Sequence, residues 1–462
     1  MKVAVIGAGW AGMAAAIAHT QAGRHVTVFE AARTVGGRAR AVPVTLPNGE
    51  TMSLDNGQHI LIGAYAESLR LMRLVGVDPD TALLRMPLTL QFPDGKGLQL
   101  PDAPPPLDAL WGIATARGWG WGDKIAMLRA ASAWQLRGFR CASDTSVAQL
   151  CASLTPRLLN EFIDPLCVAA LNTPAHEASG QVFLRVLQDS LFSGRGGSNL
   201  LLPRTDLGSL FPQAAAHWLE RAGGRVFVGQ RVHSVVPLPN GRWEIARANT
   251  AFTDTASSSD GTPQPEALVF DHVTLACSPW ETSRLVATLA AQPSLSAAQQ
   301  KAAARWSADA AALRFEAITT VYAHAPGVRL NQPMLALRNT AQHPAQFVFD
   351  RGQLDGHDGL LAFVVSASTS DRAQIEAQVL QQAAVQLALA PTQVITAVQT
   401  VVEKRATFAC TPGLQRPGSQ VMPPMPSMPS MGLSACGDYV QGPYPATLEG
   451  AVLSGTAAAT LV

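Results

Sequence analysis

An α/β fold, built on a doubly wound parallel sheet shared by distant stretches of the chain, is predicted by three observations. The first is the opening run: the apolar strand Val3-Ala4-Val5-Ile6, then Gly7-Ala8-Gly9-Trp10-Ala11-Gly12, then an alanine-rich helical stretch. The second is another apolar strand, His25-Val26-Thr27-Val28-Phe29, which ends on the acid Glu30. The third is the return of strand and helix character over 205–290 and 433–462, on either side of differently patterned blocks.

The opening run reads as a Rossmann-like dinucleotide site. Gly7 permits the tight turn, Gly9 lets backbone approach a pyrophosphate, and Gly12 lets the helix pack against the strand. The helix start offers free N–H groups and partial positive charge to phosphates. Glu30 follows Gly12 by 18 residues, where an acid accepts hydrogen bonds from the adenosine ribose. The same opening imitates a signal peptide, with Lys2 before the apolar run 3–18 and Ala16-Ile17-Ala18 as a cleavage-like site. Three glycines inside that run, and its direct continuation to Glu30, argue against one.

Two further motifs favour FAD over a nicotinamide. In the stretch 33–40, Gly36-Gly37-Arg38 lets a loop pass close to the cofactor and presents a guanidinium to pyrophosphate oxygens. Near the end, Ala435-Cys436-Gly437-Asp438-Tyr439 offers a carboxylate to a polyol such as ribityl. A helix starting near Ala446 would aim its positive end at a flavin carbonyl. An ordinary turn and helix cap is the plain alternative for Gly437-Asp438.

Composition sets outer limits. The chain of 462 residues suggests two or three structural units. A net charge of +1 gives no support for a nucleic-acid partner. Charged residues make up 15%, against roughly 25% in average globular proteins, so an apolar tunnel, a membrane-facing surface or simple alanine richness is implied. No apolar run is long enough to span a membrane. Cys141, Cys151, Cys167, Cys277, Cys410 and Cys436 show neither CxxC nor metal spacing, so no metal site is expected and the compartment reads as reducing and cytoplasmic.

Along the chain, 1–75, 205–290 and 425–462 are assigned to the nucleotide domain. The blocks 76–204 (mainly helical) and 291–424 are assigned to an inserted mixed α+β substrate domain. Strands are expected at 225–228, 232–236, 269–276, 317–322, 346–349 and 360–365, and a helix over 210–222. The tract 251–266 reads as an exposed loop; the methionine- and proline-rich tract 421–431 reads as a flexible apolar segment flanking the substrate entrance, with a proline-rich surface loop as the alternative.

Residues 3–40 and 433–454 together resemble the two flavin-binding ends of the amine oxidase and phytoene desaturase superfamily. Within it the chain resembles the hydroxysqualene dehydroxylases, squalene-associated flavoenzymes of bacterial hopanoid pathways. That likeness rests on the stretch 54–65, on Pro165-Leu166-Cys167-Val168-Ala169-Ala170-Leu171-Asn172-Thr173-Pro174, and on Gly442-Pro443-Tyr444-Pro445-Ala446-Thr447-Leu448-Glu449-Gly450. The resemblance implies that Gly7, Gly9, Gly12, Glu30, Gly36, Gly37 and Arg38 hold the ADP part of FAD. It places a backbone group of Val232 against adenine, Gly57 and Gln58 near the isoalloxazine, and Gly437 and Asp438 at ribityl and pyrophosphate. One departure is Tyr439-Val440-Gln441, where many relatives are aromatic or threonine-rich.

The implied reaction removes an allylic hydroxyl from hydroxysqualene and delivers hydride from reduced FAD, giving squalene. Such a site must bury a long apolar isoprenoid, engage the hydroxyl and exclude water. His59 is the candidate for the hydroxyl, with Gln58 or Asp55 in support; the alternative is that Asp55 and His59 only shape the loop. The expected partners are an apolar isoprenoid, a membrane surface on the inner face of the cell membrane, and an upstream enzyme of squalene synthesis. The segment 111–140, with Trp111, Trp119, Trp121 and Trp134 among Arg117, Lys124, Arg129, Arg137 and Arg140, is the expected membrane-facing helical region; a core-packed helical pair is the alternative. Two other functions stay open: a carotenoid-type desaturase or amine oxidase, and a non-catalytic flavoprotein scaffold.

Overall fold

The computed structural model describes residues 1–45, 49, 51–192, 194–247, 268–422 and 432–462. The predicted loop 251–266, and residues 423–431 of the methionine- and proline-rich tract, lie outside the described residues.

Five strands form one parallel sheet in the order Arg225–Phe227, His25–Phe29, Lys2–Ile6, His272–Leu275 and Gly432–Ala435. Val3, Ala4, Val5, Val28, Val273 and Ala435 are fully buried, as a parallel sheet covered on both faces requires. The first helix, Trp10–Gln21, has nine of its twelve residues buried, so it is apolar nearly all round rather than on one stripe. Its cover comes from the helix Pro212–Arg221 and from the C-terminal helix Leu448–Ala458. The two terminal helices touch backbone to side chain. A Cβ on Gly455 would sit 2.2 Å from the Ala11 carbonyl oxygen and 3.0 Å from the Ala14 Cβ.

A second, antiparallel sheet has the order Met334–Ala336, Phe347–Asp350, Leu360–Ser366, Phe315–His324 and Thr396–Phe408. Its side chains alternate as the pleat demands. Val321, Val348, Phe363 and Val365 pack with Ile375, Val379 and Ala383 of the helix Arg372–Gln386. Tyr322, Phe347, Phe349 and Val364 point the other way, into the main core.

One expected strand is corrected: the run 269–276 is not continuous. Asp271 breaks it, accepting from the Lys2 N–H at 2.7 Å and donating to the Lys2 carbonyl at 2.9 Å. Leu268–Phe270 then joins a small antiparallel sheet with Trp243–Arg247, while His272–Leu275 enters the parallel one. The block 76–204 is mainly helical, as its pattern suggests, and also holds the short strands Leu83–Met86, Thr89–Gln91, Gly97–Gln99 and Leu200–Pro203. The thirteen-residue strand Thr396–Phe408 was not anticipated at all, because Glu403, Lys404 and Arg405 interrupt its apolar pattern.

The crossing at Gly455 yields a test. Gly455→Ala is expected to cost about 1–3 kcal/mol, since the added methyl overlaps a helix backbone that has nowhere to move. Gly122→Ala, whose Cβ meets nothing within 4 Å, is expected to change stability by less than about 1 kcal/mol. Urea unfolding midpoints of the two variants check the contrast.

Candidate active site

A cavity of about 560 Å³ lies where the carboxyl ends of the parallel strands face the antiparallel sheet. Open α/β sheets place ligands at such strand ends. Gly7, Gly9, Glu30, Gly36, Gly37, Arg38, Gly57, Gln58, His59, Val232, Gly437 and Asp438 all line it. Gly12 and Asp55 do not.

The glycines form the floor of a cradle. Gly7 has φ +110°, and its Cβ would lie 2.5 Å from the Ala276 carbonyl oxygen; a Cβ on Gly12 would meet the Gly7 oxygen at 1.9 Å. Gly12 therefore acts by packing, one layer below the cavity wall. Gly9 and Gly36 form a parallel bridge, and the Gly36 N–H donates to the Ala8 carbonyl at 2.8 Å. No side chain caps the first helix at Gly9, so the positive end of its dipole faces the cavity. The Glu30 carboxylate accepts from the Ala8 N–H at 2.7 Å and the Ala32 N–H at 2.8 Å. Each oxygen keeps a lone pair for a ribose hydroxyl.

The C-terminal stretch meets this cradle through one ion pair. Arg38 pairs with Asp438, which is 7% exposed, and donates to the Ala406 carbonyl at 2.7 Å. The Gly437 N–H donates to the Ser454 hydroxyl at 2.8 Å, and that hydroxyl lies 3.0 Å from the Gly437 carbonyl. The Gly-Asp turn is thereby tied to the C-terminal helix, whose N-terminal residues Thr447 and Leu448 also line the cavity. Tyr439 turns away: it is 1% exposed and its hydroxyl donates to Thr282 at 3.0 Å. The departure at Tyr439-Val440-Gln441 thus begins with a core residue. Glycine cradle, ribose acid, uncapped helix and ion pair fit an FAD stretched along this wall.

The loop after the strand Thr51–Asp55 forms the opposite wall. His59 Nδ1–H donates to the Gly57 carbonyl at 2.7 Å, leaving Nε2 as an acceptor. Burial holds the His59 pKa below its usual value; the Gly57 hydrogen bond opposes this and the Arg38 charge reinforces it. The ring is neutral at pH 7, so it can orient a hydroxyl but holds no proton on Nε2 to give. Gln58 is fixed by Arg351, whose guanidinium donates to Gln58 Oε1 at 2.9 Å. That sets the amide so that its buried Nε2, which has no protein partner, is the unclaimed donor of this wall.

Arg351 is the residue sequence reasoning missed. It is 1% exposed, pairs with Asp355, and lies 3.8 Å from Asp55 Oδ2. It stands 293 residues from Gln58, so no local spacing points to the contact. Asp55 is fully buried; its Oδ1 accepts from the Leu207 N–H at 2.8 Å and its backbone carbonyl accepts from the Tyr322 hydroxyl at 3.0 Å. It sits among the supports of the loop rather than on the cavity surface. Burial pushes its pKa up to about 7, against the Leu207 hydrogen bond and the Arg351 charge.

A pH dependence follows. A raised carboxyl pKa means the folded state holds a proton that the unfolded state has released. Asp55 then contributes stability that is full below about pH 4 and is lost as pH rises through about 7. The buried His19 and His272, lowered to about 4 and about 3, work in the opposite direction, so the difference between variants isolates Asp55. Relative to the parent, Asp55→Asn is expected to gain stability between about pH 4 and 7 and to level off above that. Urea midpoints taken across that range measure the difference; a constant offset would mean that Asp55 does not titrate there.

Comparison with known proteins agrees with this geometry. The chain is 25% identical over 490 residues to the hydroxysqualene dehydroxylase of Rhodopseudomonas palustris, spanning 100% of this chain and 98% of that protein. It is 26% identical to the hydroxysqualene dehydroxylase of Zymomonas mobilis, over 50% of this chain and 54% of the relative. Among solved structures, an oxidoreductase from Methanosarcina mazei shares the fold with a TM-score of 0.69 at 17% identity, covering 99% of both chains. The model of the flavin containing amine oxidoreductases matches residues 10–462. The chain belongs to that family, and it is an FAD-dependent oxidoreductase.

Proposed function

We propose that this enzyme removes the allylic hydroxyl of hydroxysqualene and replaces it with hydrogen, giving squalene. The observation that carries the reading is the character of the cavity beyond the nucleotide cradle. Leu88, Leu166, Val168, Leu187, Leu191 and Phe347 make that wall apolar, with His59 and Gln58 as polar groups beside it. A long hydrocarbon bearing one hydroxyl matches such a surface. The relatives named hydroxysqualene dehydroxylase support the same substrate.

In the proposed reaction the C–O bond breaks, the hydroxyl takes a proton delivered from solvent and leaves as water, and the freed allylic carbon receives hydride. Bound FAD in its reduced state supplies that hydride. The residues of the chain supply the rest. The apolar wall buries the isoprenoid and keeps water from the electron-poor carbon. His59 Nε2 accepts a hydrogen bond from the hydroxyl O–H and so aligns the C–O bond. The Gln58 amide, held by Arg351, offers an N–H to the departing oxygen.

Anaerobic incubation of the reduced, FAD-loaded enzyme tests the reading. Hydroxysqualene is expected to yield squalene in step with flavin reoxidation. If hydroxysqualene is untouched while phytoene or an amine reduces the oxidised enzyme, the reaction is a desaturation or an amine oxidation instead. His59→Ala is expected to lower the squalene-forming rate about 10- to 100-fold with the flavin absorption intact. An unchanged rate would remove His59 from the reaction.

A further inference from the structure

Two helices outside the cavity, Leu107–Thr115 and Trp121–Leu136, expose what helices ordinarily bury. Leu107, Leu110 and Trp111 on the first are 59%, 47% and 64% exposed. On the second, Trp121, Ile125 and Leu136 are 79%, 45% and 89% exposed. Six of the thirteen large apolar side chains exposed among the described residues therefore lie on two elements. Single exposed apolar residues are ordinary, but a concentration of this kind marks a contact surface.

The spacing makes it a face rather than a scatter. Trp121, Ile125, Arg129, Ser132 and Leu136 follow one another at helical intervals, and all five are exposed. The opposite side of that helix is anchored. Met127 and Trp134 are buried, and Asp123 accepts from the Gly120 N–H at 2.9 Å and the Thr155 hydroxyl at 2.6 Å. Trp119 and Trp134 are each 6% exposed, which corrects the expectation that all four tryptophans of 111–140 serve a surface. Two hold the helices in place; Trp111 and Trp121 point outward.

Charge selects the occupant. Arg117, Arg129, Arg137 and Arg140 are exposed, whereas the carboxylates of 107–140, Asp108 and Asp123, are 3% and 9% exposed. The outward charge of the face is thus entirely positive. A second copy of this chain would set the same cationic rim against itself. An anionic bilayer does the reverse: indoles enter the headgroup boundary and guanidiniums meet phosphates. No helix among the described residues is long and apolar enough to cross a membrane, so contact of this kind is peripheral.

The face is also mechanically close to the cavity. Phe139, just past the second helix, packs against Phe192 at 5.0 Å between ring centroids. Gln181 donates to the Phe139 carbonyl at 3.1 Å and accepts from the Cys141 N–H at 3.1 Å. Gln181 belongs to the helix Gly180–Leu191, whose Leu187 and Leu191 line the cavity. We infer that the helix pair 107–136 docks the enzyme on an anionic lipid surface and brings the cavity within reach of membrane-dissolved substrate. The inference does not depend on which apolar compound the cavity accepts.

The test uses the full-length, FAD-loaded protein and vesicles of phosphatidylcholine alone or mixed with phosphatidylglycerol. Cosedimentation is expected with the mixed vesicles at low salt and should fall as salt rises. Trp111→Ser/Trp121→Ser should weaken it at least about tenfold. Arg129→Glu/Arg137→Glu should weaken it at low salt, and both variants should keep the parental flavin spectrum as a check on folding. The inference is overturned if the parent stays in the supernatant with anionic vesicles, or if the tryptophan variant binds them as the parent does. It is equally overturned if light scattering shows a dimer that the tryptophan variant dissolves, because the face is then a self-interface.

Discussion

The structure depends on the crossing of its two terminal helices at Gly455. The first strand and first helix bring the glycine cradle; the last strand and last helix bring Gly437-Asp438. Neither end buries its own apolar surface alone. The sheet places the strand Gly432–Ala435 beside His272–Leu275, which in turn pairs with Lys2–Ile6. The helix Leu448–Ala458 then covers the small-residue side of Trp10–Gln21, where Ala11, Ala14 and Ala15 allow close approach. With that contact in place, Arg38 and Asp438 meet although 400 residues separate them. The cofactor wall is thus a product of packing between the ends of the chain, and chemistry at the wall inherits its precision from helix contact.

The opposite wall relies on a different force. Asp55 and Asp355 share a single buried guanidinium, that of Arg351. Burial wins over Arg351 at Asp55, which keeps that carboxyl close to protonation at neutral pH. The arrangement resolves two acids and one base without leaving a full unpaired charge in the core. It also fixes the Gln58 amide in one orientation. His59, kept neutral by burial, adds an acceptor rather than a charge. The part of the loop that carries Gln58 and His59 is therefore polar without a charge of its own, beside the apolar lining of the cavity.

The readable parts of the sequence were those whose physics is local. Gly7 announces a turn because its φ of +110° favours glycine, Gly12 announces a close helix contact, and Glu30 announces a strand end. Gly36-Gly37-Arg38 and Gly437-Asp438 were legible as loop chemistry, though their meeting was not. The strand Thr396–Phe408 was hidden because Glu403, Lys404 and Arg405 break its alternation, and its identity comes from pairing with Phe315–His324. The break at Asp271 was hidden for another reason: the β-branched and apolar residues on both sides of it read as one strand, and only a contact with Lys2 divides them. Arg351 carried no signal, since its role lies in a tertiary contact with Gln58. Of the four tryptophans in 111–140, sequence alone could not separate the two that anchor from the two that face outward.

Titration of FAD into the apoprotein, followed by flavin absorbance, tests the central claim most directly. The parent chain should take up FAD stoichiometrically. Glu30→Ala near one end of the chain and Asp438→Ala near the other should each weaken uptake by at least about tenfold, because both ends of the chain grip one ligand. A parent protein that stays colourless at saturating FAD would contradict the account. So would uptake that depends on Glu30 and is indifferent to Asp438.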